Sequence, residues 1–122
     1  RAEVLSWVIA ALNSVDLVCQ PWALFRFMGL PGEAPEAKMI DEFLKSRLDR
    51  MDSVLGDREW LVANHFSVAD LLMADVLRQV DRVDGLSGHA ACRDFVTRAT
   101  ARPAFIKAHR DQMDHFAAAD AA

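Results

Sequence analysis

From Val4 to Phe27 the apolar residues Val4, Leu5, Val8, Leu12, Val15, Val18 and Trp22 recur three or four apart, which is the period of an α-helix. Trp7, Ile9, Ala10 and Ala11 fill the gaps, and Asp16 is the only charge between Val4 and Phe25, so the helix is apolar nearly all round. Such a helix is either buried on most sides or spans a membrane. Asn13, Asp16 and Gln20 in mid-stretch argue against the membrane, because a central Asp costs about 2.5–3.5 kcal/mol on insertion scales. Pro21 lacks a backbone donor and is expected to kink the helix near Leu17 without ending it.

Leu30-Pro31-Gly32 breaks the pattern, and Pro35 sits where a first-turn proline would open a second helix. Met39, Ile40, Phe43, Leu44, Leu48, Met51 and Leu55 then mark one apolar stripe, which Gly56 is expected to stop. After a loop from Gly56 to His65, Ser67-Val68-Ala69-Asp70 has the spacing of a capping box. In it the Ser67 hydroxyl serves the Asp70 amide and the Asp70 carboxylate serves the Ser67 amide. Phe66 stands where it can staple onto Leu71. The helix so opened, Val68 to about Val83, has almost no polar interruption and is expected to be the most buried. Gly85, Ser87 and Gly88 punctuate it. A fourth helix covers Ala90 to about Thr100, with Phe95, Val96 and Ala99 inward. A fifth restarts at Arg102-Pro103 and runs through Phe105, Ile106, Met113 and Phe116, with Ala117–Ala122 expected to fray. The expectation is an all-α, five-helix bundle in one domain, residues 1–122.

Composition narrows the class. The 122 residues are 52% apolar and 26% charged, with a net charge of −4. That is globular, and it offers no basic footprint for nucleic acid. Cys19 and Cys92 lie far apart without a CxxC, so reduced thiols in a cytoplasmic protein are the expectation. No secretory signal is legible, and because the helical pattern starts almost at Arg1 the chain reads as cut from something longer.

Three segments carry a family resemblance. Arg58 to Leu77 (REWLVANHFSVADLLMADVL) resembles the capping-box region of the C-terminal helical domain of bacterial cytosolic glutathione S-transferases. Ala101 to Ala108 (ARPAFIKA) is similar to the start of a late helix in that domain, and Trp7 with Ala10 to Asp16 is similar to the helix that opens it. The resemblance implies an electrophile-binding wall and dimer contacts for conjugating glutathione to small apolar electrophiles, in a detoxifying homodimer. It also implies that a thioredoxin-like N-terminal domain, missing here, carries the thiol-activating residue, so this chain holds no catalytic residue. Glutathione is then the cosubstrate of the intact protein and no cofactor is bound by this domain alone. The alternative is a non-catalytic interaction module of the same fold.

The candidate glutathione or substrate residues are Asn13, Ser14, Asp16, Gln20 and Trp22. Asn13, Asp16 and Gln20 share one face of the first helix by spacing. Asn13, Ser14 and Asp16 match site-facing positions by resemblance, although Asp16-Leu17 stands where relatives often have Glu-Pro. Trp22 is placed to line an apolar pocket. Ser67 and Asp70 are assigned to capping. Asp75, inside an apolar helix, is expected to bond a loop amide. His65, His89, His109 and His115 read as surface or loop residues, with no metal site. Cys19 reads as a small buried hydrophobe. Because the first helix is apolar round more of its circumference than one bundle covers, it is expected to be buried between chains.

Overall fold

A helical rod from Ala2 to Phe27 forms one side of the molecule, in three parts: α1 (Ala2–Ile9), a π-helical segment (Ala10–Asp16) and α2 (Leu17–Phe27). The computed structural model describes residues 1–29 and 32–121, so Leu30 and Pro31 of the expected break lie outside the described residues. Four further helices follow: α3 (Pro35–Gly56), α4 (Val68–Asp81), α5 (Ala90–Thr100) and α6 (Pro103–Asp120). Among the described residues there is no strand, and the five rods make an all-α architecture.

Pro21 does not end the first rod, as expected. The irregularity lies upstream of it. A proline ring clashes with the carbonyl four residues earlier, which here belongs to Leu17, and the wide π turns finish at Asp16, immediately before it. The face turned inward is narrower and finer than the apolar pattern suggests. Ala11, Val15, Cys19 and Trp22 are buried, whereas Leu5 and Leu12 of the expected stripe stand exposed. Small side chains at positions 11 and 19 let the neighbouring backbone come close, and the larger ones are left on the flank.

In α3 the stripe Leu44, Leu48, Met51 and Leu55 is buried and Ile40 packs against it, but Met39 and Phe43 lie on the exposed side. Helix α4 is the core element, with Met73, Leu77 and Val80 fully buried and Leu72 partly so. It stops at Asp81, two residues short of the expected Val83, because the Gly85 amide turns back to the Val80 carbonyl at 2.9 Å. Helix α5 buries Phe95, Val96 and Ala99, as the spacing predicts.

The start of α5 is fixed by α3. Asp52 Oδ1 accepts the Cys92 amide at 3.0 Å, so an aspartate from another helix caps this N-terminus. One turn earlier on α3, Asp49 Oδ1 lies 2.9 Å from His89 Nε2. His89 is therefore buried and paired at the end of the loop before α5, so of the expected surface or loop placement it is the loop that holds. Lys45 and His89, bonded to the Asp49 carboxylate, hold it below the usual aspartate range.

Helix α6 opens at Pro103 as expected, but it stays helical through Asp120 where fraying was anticipated; Ala122 lies outside the described residues. None of its residues is buried.

Candidate functional site

The capping box builds the base of α4. Asp70 is fully buried, and its Oδ2 accepts from the Ser67 amide and the Ser67 hydroxyl, each at 2.8 Å. Its Oδ1 accepts the Leu61 amide at 2.7 Å, so the same carboxylate ties the preceding loop to the helix. Arg58 donates to the Leu61 carbonyl at 3.1 Å, so both backbone polar groups of Leu61 are bonded to side chains. Around this point Trp60 meets Phe66 and Phe95 edge-on, at 5.1 and 5.9 Å, and the Arg102 guanidinium lies 3.4 Å over the Phe66 ring. The loop-amide bond expected of Asp75 is thus made by Asp70. Asp75 itself is exposed and pairs with Arg78 at 2.8 Å, because its side chain leaves α4 on the side away from the core.

The polar stripe of the first rod is only partly brought together. Gln20 Nε2 donates to Asp16 Oδ1 at 3.0 Å and to Gln79 Oε1 at 3.3 Å, a chain that crosses from the rod to α4. Asn13 is exposed and Ser14 half-buried, one turn further up. Trp22 turns the other way. Its ring is buried against the α4–α5 turn, and its Nε1 donates to Asp41 of α3 at 2.6 Å. Arg26 stacks over the same ring at 5.3 Å.

Beside the Asp16–Gln20–Gln79 chain lies an open cleft of about 500 Å³, lined by Gln20, Ala23, Leu24, Phe27, Gln79, Arg82 and Val83. Its apolar wall is unusually bare: Phe27 is 86% and Leu24 56% exposed. Of the residues singled out in the sequence, only Gln20 reaches this cleft. Leu24 and Phe27 follow it at helical spacing and were accessible to the same periodic reasoning. Gln79, Arg82 and Val83 come from α4 and its end, and only the crossing of the two helices places them there.

Residues 15–103 match the family model described as Glutathione S-transferase, C-terminal domain. The chain belongs to this family. No individual curated protein matches it. Members of the glutathione S-transferase C-terminal domain family usually pair with a thioredoxin-like domain. The match takes in the capping box, the cleft and the α5 start, and it ends at Pro103 where α6 begins.

In this transferase-type domain neither thiol is built to react. Cys19 and Cys92 are buried, and burial pushes both thiols up to about 12, reinforced by Asp16 for Cys19 and by Asp52 for Cys92. Cys19 is the small buried hydrophobe that its surroundings suggested. Among the described residues no cluster of His, Cys, Asp and Glu could hold a metal ion. The first rod is long and apolar enough to cross a membrane by length and composition. Asp16 and Gln20 sit in its middle, and its Val15 and Cys19 pack into the bundle.

Proposed function

We propose that this chain is the helical domain of a cytoplasmic glutathione transferase, in which the cleft between the first rod and α4 forms the wall of the electrophile site. The observation that carries the reading is the cleft itself, with the exposed Leu24, Phe27 and Val83 beside the amide groups of Gln20 and Gln79. A small-molecule site is typically an apolar concavity with a few placed polar groups, and this one has that make-up. Glutathione and its activating residue belong to the thioredoxin-like partner domain, and Asn13, Ser14 and Asp16 lie along the same rod, on the approach to the cleft. Exposed Leu5, Ile9 and Leu12 supply an apolar strip for a second copy, which supports a homodimer.

The test is amide chemical-shift mapping of the pure chain titrated with 1,3-dinitrobenzene, a neutral relative of aromatic electrophiles. Saturable shifts concentrated at Leu24, Phe27, Gln79 and Val83 are expected. Shifts scattered over the surface, or gathered elsewhere, would reject the cleft as the electrophile wall.

A further inference from the structure

The inner face of the first rod runs one residue out of step on the two sides of its π-helical segment. Read back from Trp22 at the α-helical period, the inward positions are Val18, Val15, Leu12, Val8 and Leu5. From Val15 onwards the structure follows that order: Val15 and Trp22 are buried and Val18 packs against the core. Before Val15 each inward position moves back by one. Ala11 is fully buried where Leu12 is exposed, Val4 packs on the core where Leu5 is exposed, and Trp7 joins Val8 at the core edge. A π turn closes i→i+5 and so takes one residue more than an α turn, and Ala10–Asp16 is where that residue is absorbed.

Two features leave the upstream part free to turn. Helix α1 has no buried residue, whereas α2 is held by buried Cys19 and by Trp22, whose Nε1 is bonded to Asp41. The rod is also apolar on both competing faces. Leu5, Val8 and Leu12 can take the places of Val4, Trp7 and Ala11 without setting a charge against α4, along which α1 and the π-helical segment both lie. Packed helices shift between discrete arrangements and do not deform continuously.

We propose that the π-helical segment is a swivel between two registers of the rod. In the observed register Ala11 faces in and Leu5, Ile9 and Leu12 face out. In the other the wide turns close to α turns, and α1 rotates by about 100° and advances by about 1.5 Å. Leu5 and Leu12 then turn into the core and Ala11 moves to the flank. The apolar strip is complete only in the π register, so a second copy that binds it selects that register from an exchanging pair. This coupling rests on the homodimer reading, whereas the swivel itself does not.

The experiment uses the whole chain. At high dilution, backbone amide relaxation dispersion is expected to show residues 2–16 exchanging together on the microsecond-to-millisecond scale of register shifts, with Val18–Trp22 flat. Flat profiles throughout would overturn the proposal. Two variants then hold one register each. Ala11→Gln puts a long polar side chain where the π register is closed and the α register is open. It is expected to stay folded by circular dichroism, to show NOEs from the Leu5 and Leu12 methyls to buried methyls of α4, and to lose association in light scattering. Deletion of Asn13 removes the surplus residue, so that a plain α-helix keeps Ala11 inward. That variant is expected to fold without the dispersion, to lack those NOEs and to associate as the natural chain does. A folded Ala11→Gln chain with Leu5 and Leu12 still facing solvent, or a deletion variant that does not fold, would overturn the swivel. Should Ala11→Gln fail to fold, the dispersion of the natural chain and the deletion variant decide. A natural chain that exchanges but stays monomeric at every concentration would remove the second copy and the coupling, and leave the swivel standing.

Discussion

Gly85 lies directly against the Trp22 indole, so close that a methyl group at position 85 would come within 2.5 Å of the ring atom Cη2 and within 2.5 Å of Val80 Cγ1. The turn after α4 thus depends on the missing side chain for contact, because Trp22 is the buried link between the first rod and that turn. Gly88, three residues on, has nothing within 4 Å of the same hypothetical atom.

Gly85→Ala is expected to destabilise the fold by about 1–3 kcal/mol through overpacking, with a shift in Trp emission. Gly88→Ala is expected to change the urea midpoint little. Equal effects of the two would show that the indole contact is not what position 85 requires.

Asp70→Ala removes the acceptor of three bonds at once. A lost cap costs about 0.5–2 kcal/mol, and a buried Leu61 amide left without a partner costs about 1–3 kcal/mol more. Chemical denaturation should therefore show a larger loss for Asp70→Ala than for Ser67→Ala. A loss no greater than that of a lone cap would mean that the Leu61 amide finds water or another acceptor.

The two thiols set an alkaline limit. Each is raised from 9.0 to about 12 in the folded protein, so above pH 9 the unfolded chain releases these protons while the folded one retains them. The unfolded state then binds fewer protons, and stability falls as pH rises from 9 towards 12. A urea midpoint that is flat over this range in the natural chain, or that falls as steeply in Cys19→Ala/Cys92→Ala, would contradict the assignment. Slow labelling by a thiol reagent at pH 8, becoming fast in denaturant, is the companion measurement.

Light scattering should find the chain associated. Leu5, Ile9 and Leu12 are exposed, at 61%, 58% and 46%, so replacing them with Glu removes apolar surface without opening the core. The triple variant is expected to dissociate with little change in its urea midpoint. Unaltered mass would place the contact elsewhere.

The pure chain is expected not to conjugate glutathione to an aromatic chloride above the solution rate, because thiol activation is assigned to the partner domain. Turnover proportional to protein concentration, and lost on unfolding, would refute that assignment.

The elements were legible where one helix decides its own fate. The Ser67–Asp70 spacing announced the cap, and Pro35, Gly56 and Pro103 marked helix ends within a residue. What the pattern hid came from contacts between distant segments. The Leu61 amide reached Asp70 only because the loop folds back, and His89 found Asp49 forty positions away. The first rod was expected to be apolar round more of its circumference than one bundle covers, and Leu5 and Leu12 do stand exposed; which residues the bundle takes was not legible, because an apolar residue reads the same whether a neighbour covers it or not. The cleft followed the same rule. Gln20 was visible from polarity on an apolar helix, whereas Arg82 gained meaning only when α4 crossed beside it.

Helix α6 gives the molecule two tiers of stability. None of its 18 residues is buried; beyond its first turns, where Arg78 covers the Phe105 ring at 5.5 Å, the rest stands clear of the core. Segments with few buried contacts open locally at a small fraction of the global unfolding free energy. Amide hydrogens from about Ala108 onward should therefore exchange as a separate fast unit, while those of Met73, Leu77 and Phe95 wait for global unfolding. Any surface that docks on α6 would slow that fast unit first, so exchange along this one helix would register its arrival before the core responded.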